Sequence, residues 1–330
     1  MVCDNISNLI HDDVFLRVDG IIEGSELFVK LENFNLAGSI KLKAAVAMLD
    51  SLEEEGKLSD GGEIIESSSG NLGVAMAMVA AERGYKFTCV TDPNISPQNL
   101  SLMKAYGANI IMVKEFNGGG FVKERLRIVH DLLDNNPKLV WPDQYSNVEN
   151  LKIHYQLTGP SILKNIPNVD YLFLGIGSSG TYMGCSKYLK ENKPDVKVIA
   201  VDPDGSILFG DKAKPRYVPG IGGSVCPALF DSEYADDAVI VHERDTVKMC
   251  RNMAKNKGWL VGGSTGTVLS ALTQYQHKIP KGSTVVALAA DFGVNYLDTI
   301  YNEEWVTQIQ QKISSNLDAK VHRVEESAVV

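Results

Sequence analysis

Strand-like and helix-like runs alternate along most of this chain, and four of their junctions are turns rich in glycine and serine. The strand-like runs are Glu26–Leu31, Ile64–Glu66, Phe87–Val90, Ile110–Val113, Tyr171–Leu174, Val198–Val201 and Thr284–Leu288. Helical patterns follow most of them, over Lys41–Leu52, Val74–Arg83, Leu100–Ala105, Gly120–Leu133 and Thr246–Lys255. Parallel strands need a crossover, usually a helix, so the alternation predicts an α/β fold with largely parallel sheets. At 330 residues the chain is long enough for two modest domains. The tail from about Ser314 is polar, charged and without periodicity, as loose chain ends are.

The four junctions carry the chemistry. In Asn35-Leu36-Ala37-Gly38-Ser39-Ile40-Lys41 a Gly-Ser turn delivers a lysine to the start of a helix, beside free backbone N–H groups. An amine so placed suits an imine with an anionic cofactor. Glu66-Ser67-Ser68-Ser69-Gly70-Asn71-Leu72-Gly73 offers hydroxyls, a flexible glycine and an amide to a carboxylate, with a helix dipole behind them. Gly175-Ile176-Gly177-Ser178-Ser179-Gly180-Thr181 follows a strand and precedes a helix, where Gly-rich backbone cradles a phosphate. The fourth junction is Gly262-Gly263-Ser264-Thr265-Gly266-Thr267. Taken singly, each is ordinary turn punctuation. The third also spells G-x-G-x-x-G at Gly175, Gly177 and Gly180, with Asp202 about twenty residues on, as a dinucleotide site would. That reading leaves the other three junctions unexplained.

Composition excludes several classes. A net charge of −9 without a basic run argues against a nucleic-acid surface. No apolar run approaches the roughly twenty residues of a membrane span, and the acidic, polar N-terminus does not read as a signal peptide. Five cysteines without paired spacing read as reduced thiols of a cytoplasmic protein. No spacing argues for a metal, and His130 and His154 read as packing or surface residues of helices.

In their order, the four junctions resemble those of the fold-type II pyridoxal-phosphate enzymes, nearest to the cysteine synthase and O-acetylserine sulfhydrylase family. The resemblance runs from about Leu27 to Trp305. It implies a tryptophan synthase β-like fold of two doubly wound α/β domains, with pyridoxal 5'-phosphate in the cleft. Residues 38–145 would form the smaller domain with the substrate loop, and 1–37 with 146–330 the larger domain with the phosphate loop. It implies Lys41 as the imine lysine and proton acceptor; Lys43, two positions on and on another helix face, is the rival. Asn71 would bond the pyridoxal 3'-oxygen, and Gly177, Ser178, Ser179, Gly180 and Thr181 would hold the phosphate. Ser68, Ser69, Asn71 and Gln144 would hold the substrate α-carboxylate. Ser264 would face the pyridine nitrogen, and a neutral partner there weakens the electron sink and favours β-elimination over transamination. The chain departs from the family pattern at Leu42-Lys43, where Asp-Arg is usual, at Leu72 for threonine, at Val148 for proline, and at Ile10–Leu16, where a Gly-x-Thr-Pro turn is expected.

The implied reaction is β-replacement: O-phospho-L-serine or O-acetyl-L-serine loses its substituent through an aminoacrylate, and a nucleophile adds at Cβ. The stretches Ser67–Gly73, Gln144–Asn150, Asp202–Gly210 and Pro219–Ser224 are similar to a branch whose nucleophile is L-glutamate. Its product is N-(2-amino-2-carboxyethyl)-L-glutamate, on the route to 2,3-diaminopropionate, siderophores and non-ribosomal peptides. Tyr145 and Arg125 match positions of that branch, and Arg216 is a further candidate, since guanidinium groups grip carboxylates and phosphates. Gly177 instead matches the sulfide-using cysteine synthases. Sulfide as nucleophile, a serine or threonine dehydratase, and a cofactor-free binding homologue are the alternatives. Small amino acids as substrates, no nucleic-acid or membrane partner, and a cytoplasmic homodimer complete the expectation.

Overall fold

A computed structural model describes residues 2–116, 120–210 and 212–312. The polar tail from about Ser314, and Gly118 and Gly119 ahead of the helix that carries Arg125, lie outside the described residues. The strands are β1 (Phe15–Arg17), β2 (Glu26–Leu31), β3 (Glu63–Ser67), β4 (Lys86–Thr91), β5 (Asn109–Met112), β6 (Leu139–Val140), β7 (Tyr171–Gly175), β8 (Lys197–Pro203), β9 (Asp237–Val241) and β10 (Thr284–Ala289). The helices are α1 (Lys41–Glu54), α2 (Asn71–Arg83), α3 (Pro97–Ala105), α4 (Gly120–Asn135), α5 (Glu149–Ile153), α6 (Gly159–Asn165), α7 (Gly180–Asn192), α8 (Glu243–Lys257) and α9 (Gly263–Tyr275). All seven strand-like runs of the sequence are strands, while β1, β6 and β9 escape the pattern; the first two are only two or three residues long.

Two sheets result, one in the order β1-β2-β10-β7-β8-β9 and one in the order β5-β4-β3-β6. Every pairing is parallel except β1 with β2 at the edge. Parallel strands are covered on both faces, which is why they read as continuous apolar runs. All six residues of β10 are buried. Val285 and Ala287 pack with Phe173 beneath Val268 and Leu272 of α9. Val286 and Leu288 face the other way, with Leu172 and Leu174, toward Met183 and Leu189 of α7. The smaller sheet repeats the arrangement: Ile64 lies under α1 and α2, and Ile65 with Val90 lies under Val129 of α4.

Topology then places the site. In the larger sheet β10 inserts between β2 and β7, and in the smaller one the chain turns from β3 to β4 on one side and β6 on the other. Such switch points leave a crevice at the carboxyl ends of the strands, where α/β proteins hold ligands. The sheets are tied there by the first turn of α1: the Ile40 N–H donates to Ala290 O at 2.8 Å, and Ser39 bridges Asp291.

Candidate active site

Four helices begin at one cavity. It is lined by Lys41 of α1, Asn71 of α2, Gly180 and Thr181 of α7 and Ser264 of α9, together with Gly177, Ser178, Ser179, Gly220 and Asp291. First-turn N–H groups lack intrahelical partners and sit at the positive end of the helix dipole, so four such ends make the cavity an anion site.

The Gly177–Thr181 loop is held from behind. Ser179 lies in the left-handed region at φ 73°, which costs a non-glycine residue about 1 kcal/mol or more and needs surrounding support. Its buried Oγ has no protein partner, so an oxygen-rich anion fits there. Gly180 allows close approach to Asn150, which a Cβ would strike. The Asn150 amide donates to Gln144 O at 2.8 Å and to Ser178 Oγ at 3.0 Å. His154 lies in a π-helical segment, His154–Thr158. Its Nδ1 is 2.9 Å from Thr158 Oγ1 and its Nε2 is 3.1 Å from Thr181 Oγ1. Lys43 Nζ donates to that same Thr158 oxygen at 3.0 Å.

His154 thus links Thr158, which also accepts from Lys43, to Thr181 at the cavity. Burial, aided by the charges of Lys43 and Lys41, holds the imidazole well below the usual histidine range, so it is neutral. His154 is therefore neither passive packing nor a surface residue.

The two lysines of the first turn diverge. Lys41 lines the cavity, and burial pushes its amine down against the opposing charge of Asp291. Lys43 is 1% exposed within a cluster of two cations and two anions. Its Nζ lies 2.7 Å from Glu32 Oε2 and also contacts Asp12, while Lys30 completes the cluster at 2.7 Å from Glu32 Oε1 and 2.9 Å from Asp12 Oδ1.

Asn71 Nδ2 donates to Asp291 Oδ2 at 2.7 Å. Asp291, a cavity-lining carboxylate that sequence reasoning missed, lies two residues beyond β10. Its place after a predicted strand end was the available signal. Asn150 and His154 gave none, because their roles come from packing against α7.

Other candidate residues do not line the cavity. Ser68 Oγ accepts from the N–H groups of Gly70 and Gly73 at 3.2 and 3.0 Å, organising the start of α2. Ser69 is half-buried beside it. Gln144 Nε2 donates to Ser67 O at 3.2 Å. Arg125 is not a solvated charge: it is 3% exposed on α4, with Nη1 3.1 Å from Asp92 Oδ2. Its Nε and Nη1 make no aligned hydrogen bond, so the pair is a contact of charges. Arg216 is half-buried and donates to Ser224 Oγ at 2.8 Å and Ile221 O at 3.3 Å, leaving Nε unpartnered. Burial raises the Tyr145 phenol, and both Arg125 and Arg216 pull it back down, so the three groups share one neighbourhood.

Glu66 closes the end of β3 under this wall. Burial pushes its carboxyl up to about 7, against hydrogen bonds from Trp141 and the Ser67 N–H. The folded state thus binds a proton that the unfolded chain releases near its ordinary value. Stability is expected to fall as pH rises between those two values, by about 3 kcal/mol in all. Chemical denaturation of wild type and Glu66→Gln at pH 5 and pH 8 checks it; an equal pH response in the two proteins contradicts it.

A cavity with an orphaned serine hydroxyl, an amine at a helix start and four positive helix ends fits a phosphorylated aldehyde cofactor. The chain belongs to the pyridoxal-phosphate dependent enzyme family, whose model matches residues 15–291. Its cofactor is pyridoxal 5'-phosphate. Over 313 residues it is 37% identical to the N-(2-amino-2-carboxyethyl)-L-glutamate synthase of Ralstonia nicotianae, covering 94% of this chain and 93% of that one. Among solved structures, a hydrogen sulfide-producing enzyme of Fusobacterium nucleatum is 33% identical with a TM-score of 0.84, covering 90% of this chain and all of the other. An O-acetylserine dependent cystathionine beta-synthase of Helicobacter pylori is 28% identical with a TM-score of 0.85, covering 92% of this chain and all of its own.

Proposed function

We propose that this enzyme joins L-glutamate, through its amine, to Cβ of an activated L-serine, giving N-(2-amino-2-carboxyethyl)-L-glutamate. The observation that carries a β-replacement is one cavity lined by both Lys41 and the Gly177–Thr181 loop. The nucleophile rests on the similarity to the Ralstonia synthase. In the reaction, the Cβ–O bond of O-phospho-L-serine or O-acetyl-L-serine breaks and the leaving group departs with the electron pair. The glutamate nitrogen forms the new Cβ–N bond and releases a proton. Bound pyridoxal phosphate supplies the electron sink that makes the Cα proton acidic.

Each residue has a task in this reading. Lys41 Nζ holds the cofactor, then takes and returns the Cα proton. Ser178, Ser179, Thr181 and the loop N–H groups bind the phosphate, with Thr181 aimed by His154. Asn71, whose Nδ2 also donates to Asp291, would hold the cofactor's 3'-oxygen, and Ser264 would offer a neutral hydroxyl to its ring nitrogen. Ser68, Ser69 and Gln144 bind the α-carboxylate. Residues 38–145 act as the smaller unit that carries this substrate loop, against 1–37 with 146–330. A cytoplasmic homodimer supplying a 2,3-diaminopropionate unit to siderophore or peptide assembly completes the proposal. Sulfide is the second reading, favoured by Gly177 at the start of the phosphate loop.

Incubation with O-phosphoserine or O-acetylserine and either glutamate or sulfide, with products read by mass, tests the proposal. Cysteine formed in preference to the glutamate adduct rejects it.

Glutamate brings two carboxylates, and Arg216 with Ser224 and Tyr145 is the cationic wall offered to them. Arg216→Ala is expected to weaken glutamate capture ten- to a hundredfold, the scale of about 1.5–3 kcal/mol for a charged hydrogen bond. Consumption of the serine derivative alone is expected to change little. Following the two half-reactions separately decides it: loss confined to consumption of the serine derivative assigns Arg216 to the leaving group instead.

A further inference from the structure

Asp291 has no task in the reaction as assigned, yet the fold places it with care. It is 2% exposed at the carboxyl end of β10, facing the cavity together with Lys41. The backbone bridge to Ser39 ties it to the turn that delivers Lys41. Gly262 leaves room for its Oδ1, which a Cβ there would strike. Both hydrogen bonds fall on the other oxygen: Oδ2 accepts from Asn71 Nδ2 at 2.7 Å and from the Tyr296 hydroxyl at 2.5 Å. Oδ1 is buried and accepts nothing. A buried carboxylate left short of donors is favoured by a positive charge nearby.

We propose that Asp291 is a positioning residue that fixes the proton of Lys41, its carboxylate serving as counter-ion to the Lys41 nitrogen across the cavity both residues line. The inference rests on the reading of Lys41 as the cofactor lysine. Charge accounting supports it. Facing the pair are Cys250 of α8, Tyr296 and Tyr301 beyond β10, and His154 on the lysine side. Burial raises the thiol and both phenols and lowers the imidazole, so all four are neutral near pH 7. Burial pushes the Lys41 amine down and the Asp291 carboxyl up, and the charge of each opposes the shift of the other, so each group is what keeps its neighbour charged. The first turn of α1 presents the positive end of a dipole, which by itself disfavours a charged lysine there. A carboxylate opposite reverses that bias, so that the lysine nitrogen holds a proton taken from Cα until it is returned.

The test is a spectrophotometric pH titration of the cofactor-loaded enzyme, because the protonated Lys41–cofactor nitrogen absorbs at longer wavelength than the neutral one. Asp291→Asn keeps an acceptor for Asn71 and Tyr296 and removes only the charge. Its visible band is expected to be lost at a pH lower than wild type by about one unit, a tenfold change in proton affinity. Asp291→Glu, which keeps the charge, is expected to hold the band within half that shift. Asp291→Ser gives the same reading as the asparagine should that variant not fold. A wild-type titration midpoint in the neutral variants overturns the inference and leaves Asp291 a hydrogen-bond anchor. A visible band that persists in Lys41→Ala overturns instead the assignment of Lys41.

Discussion

With Lys41 replaced by alanine, the enzyme is expected to lose the visible absorbance of lysine-bound cofactor and on the order of a thousandfold or more of its turnover. The size of the loss follows from the double role proposed for this side chain, cofactor anchor and proton carrier. No neighbour can stand in. Lys43 is the nearest amine in sequence, but its Nζ is shared by Glu32, Asp12 and Thr158. Withdrawing it would leave Glu32, itself buried, with Lys30 as the remaining cation of its cluster. Breaking a buried pair in that way costs several kcal/mol. Absorbance of the purified variant, followed by reduction of wild type with borohydride and mass mapping of the labelled peptide, checks the assignment. A label on Lys43 would displace it.

Arg125→Ala is expected to destabilise the fold by about 3–5 kcal/mol, the cost of leaving a buried charge without its partner. Asp92 is 2% exposed, and its Oδ1 already accepts from the Asn94 N–H at 2.9 Å, so Oδ2 depends on the guanidinium. Against a total stability of about 5–15 kcal/mol, that is a large share. Loss of activity in this variant would thus say little about substrate binding. Arg125→Lys preserves the charge and is the variant with which to ask about the second substrate. Urea denaturation midpoints of the two variants measure the difference; an alanine variant within 1 kcal/mol of wild type (the scale of a surface pair) would show that the contact with Asp92 holds nothing together.

The alternation of β-like and helical runs was enough to expect parallel sheets, because a strand covered on both faces must be apolar throughout, as β7 and β10 are. The Gly-Ser turns were legible for a related reason. Ser39-Ile40-Lys41 and Gly177–Thr181 act through backbone geometry and a helix start, which are local properties. β6 and β9 were not legible. A two-residue strand carries no period, and Asp237–Val241 is defined by its pairing with β8.

Local chain geometry, legible along the sequence, presents one set of groups: the lysine turn, the Ser-Gly-Asn loop, the Gly177–Thr181 loop and the serine at the start of α9. Which distant groups act on them is settled by the packing of helices on the sheets. Asn71 and Asp291 meet across 220 positions, His154 reaches Thr181 across 27, and Arg125 is sealed against Asp92. Burial makes these encounters count. A carboxylate, an imidazole or a guanidinium in water is nearly independent of its neighbours, whereas out of water each must find a partner or change its charge. Which partner it finds depends on how helices close over a sheet, and no run of neighbouring residues records that.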